Sequence, residues 1–193
     1  MTESTETSGY DYKWLARFEG DWFIELEQIK QQAWTAGHKA RQRYKGKNQV
    51  MFRRIDVPRQ GVWKTMMDYL GIINIVQSFH IQYPGEMIGL HMDDPDDWTT
   101  KERNMWADPK YKMYEQVVKF FIFLEDWKPG HFLQIGNSFV RWRKGDLISF
   151  DWNNMRHASS NAGQEPRCLI QVTGVMSDKT KELFLGRRKR LSL

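Results

Sequence analysis

Two imidazoles, one carboxylate and one guanidinium stand where they could work on a single ion and a single anion. His91 and Asp93 lie two residues apart in QYPGEMIGLHMDD, and two residues of extended chain bring both side chains to one strand face. His157 belongs to the stretch from Gly145 to Gly174, GDLISFDWNNMRHASSNAGQEPRCLIQVTG. That stretch reads as a strand, a loop carrying the histidine, and a second strand opening at Arg167. Alternation in the second strand puts Arg167, Leu169, Gln171 and Thr173 on one face, with Cys168, Ile170, Val172 and Gly174 on the other. A cation and two neutral polar groups on one face suit the wall of a ligand-holding barrel better than a dry sheet interface. Two histidines and one carboxylate on one side of an ion leave its other positions open, the donor set of mononuclear non-haem Fe(II). Arg167 offers a planar fork that matches a carboxylate.

Each of these signals has a plainer reading when taken alone. A His-x-Asp pair arises easily in a segment as acidic as HMDDPDD, and an arginine at a strand start suits a surface ion pair. Order, spacing and strand phase agree only when the four are taken together. Asp94 competes with Asp93 by composition but would point to the opposite face of a regular strand. His38, His80 and His131 are read as surface or hydrogen-bonded core histidines, with His80 on the face opposite Tyr83.

The elements that must position these groups are mostly strands. INIVQSFHIQY (73–83) is β-rich and stops at Pro84-Gly85, a turn pair, and MIGLHMD (87–93) is the following strand. VVKFFIFLEDW (117–127) is an apolar strand turned by KPG, after which HFLQIG and SFVRW flank Gly136-Asn137 and KGD leads into LISFDW. Apolar positions from Trp14 to Trp34 recur at mostly helical spacing, and Gly20-Asp21 offers a cap for a second helix. VWKTMMDYLG (62–71) predicts a short helix ended by Gly71. Many short strands with helices only near the N-terminus predict a mainly β fold with flanking helices, a jelly-roll or double-stranded β-helix barrel. One domain is expected over residues 1–193, with its barrel core at 73–176 and a disordered start at 1–10.

Composition narrows the function classes. Cys168 is the only cysteine, which excludes an internal disulfide and a thiolate-rich zinc or iron–sulfur site, and fits a reducing compartment. No apolar run approaches a membrane span and MTESTETSG is nothing like a signal-peptide core, so a cytoplasmic chain without a membrane partner is expected. Between His38 and Gln60 eight Lys or Arg face one acid, Asp56, and the tail from Lys179 to Leu193 adds six more bases against Glu182. Such asymmetry can mean an anionic partner such as nucleic acid, but a solvated basic face and a frayed tail is the preferred reading.

The sequence resembles the Fe(II)/2-oxoglutarate-dependent oxygenase superfamily, particularly its prolyl-hydroxylase-like branch. The resemblance runs from Gln77 to Val175 and rests on QYPG, HMD, KGDLISFDW, RHASSN and PRCLIQVTG. It implies His91, Asp93 and His157 as iron ligands, Arg167 as the anchor of the 2-oxoglutarate C5-carboxylate, and Tyr83 as a phenol beside the co-substrate. Gln171 and Thr173, on the Arg167 face, are candidate hydrogen-bond partners of the co-substrate. Halogenases of the superfamily have no carboxylate at the Asp93 position, so its presence favours hydroxylation.

The implied reaction couples decarboxylation of 2-oxoglutarate, to succinate and CO2, with O2-dependent hydroxylation of an amino-acid side chain, free or in a peptide, prolyl included. Ascorbate would serve as reductant. Residues 94–116, with Trp98 and Trp106, are the candidate lid. Small-molecule or peptide substrates rank above nucleic acid, because no second arginine follows Arg167 in its strand as in the DNA-dealkylating branch. The alternatives are a non-catalytic cupin-like domain that binds a ligand or partner, and an oxygenase of an anionic small molecule or nucleic acid. Oligomeric state is not legible in the sequence.

Overall fold

Among the described residues seven strands form one sheet and four form another, and the candidate residues fall where the two face each other. The computed structural model describes residues 12–20, 28, 53–56, 61–93, 116–186 and 189–192. In chain order the strands are β1 (Lys13–Glu19), β2 (Arg53–Asp56), β3 (Ile73–Gln82), β4 (Met87–His91), β5 (Val117–Phe123) and β6 (His131–Ile135). They continue with β7 (Ser138–Phe139), β8 (Asp146–Ser149), β9 (His157–Asn161), β10 (Arg167–Val175) and β11 (Lys189–Ser192). Two helices are described, α1 (Gly61–Leu70) and α2 (Asp178–Leu185). The larger sheet has the order β11-β1-β8-β5-β10-β3-β2 and the smaller β4-β9-β6-β7. This is the expected double-stranded β-helix, mainly β with flanking helices.

The apolar runs of β5 and β10 follow from burial on both faces. Phe120 and Ile122 join Ile170 and Val172 in a cluster with Trp63, Met66, Met67 and Leu70 of α1. Phe121 and Phe123 turn the other way, into a cluster with Leu133, Ile135, Ile148 and Leu169 between the sheets. β5, covered on both sides, carries hydrocarbon at every position but Lys119 and so loses the alternation of a half-exposed strand, whereas β10 keeps polar groups on one face.

Gly71 ends α1 as expected: its φ is +66°, a conformation that costs a glycine little, and its N–H donates to Met67 O at 3.2 Å. Gly145 is fixed more tightly. At φ +81° it exchanges backbone bonds with Phe18 and Phe123, and a Cβ there would meet the Phe18 carbonyl oxygen at 1.9 Å.

Three expectations are corrected. Residues Trp14 to Glu19 are strand, not helix. A bulge between Trp14 and Ala16, where β1 pairs with β8, lets neighbours Leu15 and Ala16 both be buried along with Phe18. That spacing imitates a helical period. Helices are not confined to the N-terminal part, since α2 follows the barrel. Its start carries reciprocal caps, Thr180 N–H to Ser177 Oγ and Ser177 N–H to Thr180 Oγ1, both 3.2 Å. The tail is not frayed either: β11 pairs in parallel with β1, so β1, β2 and β11 extend the sheet beyond 73–176. Among the described residues no helix is long and apolar enough to cross a membrane.

The reading of Gly20-Asp21 as a helix cap, the disordered start, most of the basic stretch, Asp94 and the lid candidates Trp98 and Trp106 lie outside the described residues.

Candidate metal centre

The two histidines meet across one strand pair. β4 and β9 run antiparallel, and His91 and His157 are Cα partners in that ladder. Their rings stand 4.3 Å apart between centroids. A bulge makes this possible: Met87 and Ile88 pair regularly with Ser160 and Ser159, and the register then shifts before His91. Ile88 and His91 consequently line the same cavity although they lie three positions apart. His157 opens β9 rather than sitting in a loop, and the edge of its ring lies against Phe150.

Both imidazoles are oriented by their own chain. His91 Nδ1 lies 2.8 Å from Gly89 O, and His157 Nδ1 lies 3.2 Å from Met155 O. A carbonyl only accepts, so each Nδ1 carries a proton, and in the neutral ring that leaves the lone pair on Nε2. Those Nε2 atoms face Asp93: His91 Nε2 is 3.7 Å from Oδ1 and His157 Nε2 is 3.5 Å from Oδ2. One ligand atom from each of the three residues falls within 4.8 Å of the others. Donors sharing one ion at about 2.1 Å stand roughly 3.0–3.5 Å apart, so the set fits a divalent metal after small adjustments.

Asp93 reaches this position without being in the strand, which ends at His91. It is buried, and its Oδ2 accepts from the Lys119 ammonium of β5. Lys119 escapes sequence reasoning, although a lone charge in VVKFFIF is a usable signal.

Arg167 stands on the same cavity, a space of about 40 Å³ whose lining also includes His80, Phe121, Leu169 and Gln171. Arg167 is buried, with Nη1 donating to Phe132 O at 3.4 Å and the guanidinium 5.9 Å from the Trp142 ring centroid. Its Nε has no partner, and no described acid lies in ion-pair contact with it. Burial lowers its pKa to about 10, which still leaves it charged near neutrality. A buried cation without an anion is a site suited to receive one.

The remaining candidates divide. Gln171 lines the cavity as strand phase predicts. Thr173 is buried one alternation further along and is absent from the lining, though Gln171 Nε2 reaches its Oγ1 at 3.4 Å. Tyr83 is displaced from the expected place beside the co-substrate: it packs with Phe79 and Ile81 against the α1 cluster. The register explains this, since Leu169 pairs with His80 and therefore gives the cavity face of β3 to His80. The reading of His80 as a hydrogen-bonded histidine outside the ligand set holds, with one addition. His80 lines the cavity, with Nε2 3.0 Å from Ser78 Oγ.

A larger, open cleft of about 600 Å³ lies elsewhere, between Trp14, Trp127, Arg141 and Asp146. It holds none of the candidate ligands, and Asp146 is paired there with Arg17 at 2.7 Å.

No protein-family model matches the sequence, and no curated protein matches it either. Among solved structures, the chain is similar to a prolyl-4-hydroxylase of Pseudomonas putida, with a TM-score of 0.59 and 15% identity over 86% of this chain and 94% of that one. It also resembles a predicted oxalate decarboxylase of Thermotoga maritima, with a TM-score of 0.41 and 11% identity over 73% of this chain and 96% of that one. A cupin-2 barrel protein of Salinispora arenicola gives a TM-score of 0.37 and 12% identity over 76% and 89% of the two chains.

Proposed function

We propose that this chain is an Fe(II)/2-oxoglutarate-dependent dioxygenase that hydroxylates an amino-acid side chain, free or in a peptide. The observation that carries the reading is Arg167, a buried guanidinium with no counter-ion among the described residues, on the same cavity as His91, Asp93 and His157. His91, Asp93 and His157 would hold the iron, leaving positions open for the co-substrate. Arg167 would receive the distal carboxylate of 2-oxoglutarate, and Gln171, two alternations along the same face, would hydrogen-bond another part of the co-substrate. Bound iron would supply the activation of O2 and the oxidative decarboxylation. Phe121, Leu133 and Leu169 exclude water from the cavity wall, and the two backbone carbonyls keep the imidazoles in the ligating tautomer.

The test is succinate formation from 2-oxoglutarate with Fe(II), O2 and ascorbate, comparing the wild type with His91→Ala and Arg167→Ala. An active wild type and two variants at least about a hundredfold slower support the enzyme; equal rates reject it. Mass spectrometry of candidate amino acids and peptides for a gain of one oxygen then identifies the substrate. A second reading, a barrel that binds a ligand without turnover, is favoured by the Lys119–Asp93 pair, which already neutralises the carboxylate. It predicts 2-oxoglutarate binding with no succinate.

A further inference from the structure

Every residue of β5 is buried, and Lys119 is the one charge among them. Its side chain and that of Asp93 are 7% and 3% exposed, and the two are ion-paired. The ammonium also lies 5.0 Å from the centroid of the Trp152 ring. Neighbouring strands fix the lysine backbone: Ser149 Oγ donates to Lys119 O at 2.8 Å, and Thr173 is its Cα partner on β10. Asp93 lines the cavity and Lys119 does not.

A carboxylate this far from water needs a positive partner in order to remain charged. Without metal, the lysine supplies it. With metal, the lysine becomes a fixed like charge a few ångströms from a divalent ion, and it competes for the same carboxylate. We propose that Lys119 is the resident counter-ion of Asp93: it holds the carboxylate in place in the metal-free barrel and lowers the affinity of the centre for a divalent ion. Lys119 is thus a positioning residue that makes the metal exchangeable. The inference rests on the metal-centre reading above.

The test uses the full chain and three substitutions: Lys119→Gln keeps a donor without the charge, Lys119→Met removes both, and Lys119→Arg keeps the charge. Binding of Mn(II) alone and Co(II) alone is measured by calorimetry, with the Co(II) absorption spectrum as a second readout, and each metal-free protein is melted. The Gln and Met variants should melt lower without metal yet bind Mn(II) about tenfold or more tightly, while the Arg variant keeps wild-type affinity. A merely structural lysine would lower both stability and affinity. Equal or weaker binding by the Gln and Met variants overturns the counter-ion and leaves the metal centre standing. Absence of Mn(II) and Co(II) binding in all four proteins removes the metal centre and the inference together. Should Lys119→Met fail to fold, Lys119→Gln still donates to Asp93 and decides the matter.

Discussion

β10 sends Cys168, Ile170 and Val172 toward α1, and Arg167, Leu169 and Gln171 toward the second sheet. Both faces are buried, yet only one carries charge and amide groups. The α1 side is a hydrocarbon seal whose members depend on one another for packing alone. The cavity side gathers His80, Arg167 and Gln171 beside the three candidate ligands, at an energetic disadvantage that packing does not explain. One strand thus separates a face that holds the barrel closed from the face that carries the candidate site.

This contrast can be broken on the α1 side first. Phe120→Ala should lower unfolding free energy by about 3–5 kcal/mol, because a fully buried ring leaves a cavity that its neighbours fill only in part. Urea denaturation measures it, and a loss below about 1 kcal/mol would deny that this face is close-packed. On the cavity side the same experiment should have the opposite sign. Arg167→Leu removes a charge that has no counter-ion among the described residues and should raise stability by about 1 kcal/mol while abolishing any thermal shift on adding 2-oxoglutarate. A strongly destabilised variant would mean that the guanidinium is structural.

The smallest effect is a pH dependence at His131, which is stacked over Trp142 and has its pKa held below 6.5, chiefly by burial and further by the charges of Arg167 and Lys128. The Glu165 carbonyl and the Glu125 carboxylate work the other way without reversing it. The unfolded chain then takes up a proton that the native one resists, so this contribution is complete above pH 6.5 and is lost as pH falls below it. Melting from pH 7.5 to 5.5 should show a slope shallower in His131→Gln than in the wild type, by no more than about 1.4 kcal/mol per pH unit. Parallel slopes would rule His131 out.

How much of this is legible in the sequence depends on regularity. The Arg167, Leu169 and Gln171 face can be read because β10 alternates without interruption until the shift between Thr173 and Val175. The choice between His80 and Tyr83 cannot, because it is set by which residue of β3 pairs with Leu169, a fact about two distant segments. β1 reads as helix because its bulge removes the period-two signature. For Asp93 the direction is right and the reason is not: strand alternation predicts it, whereas the chain has left the strand and Lys119 meets the carboxylate. Lys119 itself is hidden by the hydrocarbon on either side of it.

The irregularity in β4 has a consequence for how such a centre can be gained or lost. Ile88 and His91 share the cavity only because one additional residue is accommodated between them. In a regular strand the same three-residue step would turn the first imidazole to the outer surface, whereas a chain one residue shorter here, without Gly89, would keep it on the cavity face by plain alternation. Here a local irregularity of the backbone, as much as the chemistry of a residue, decides whether an imidazole can take part at all.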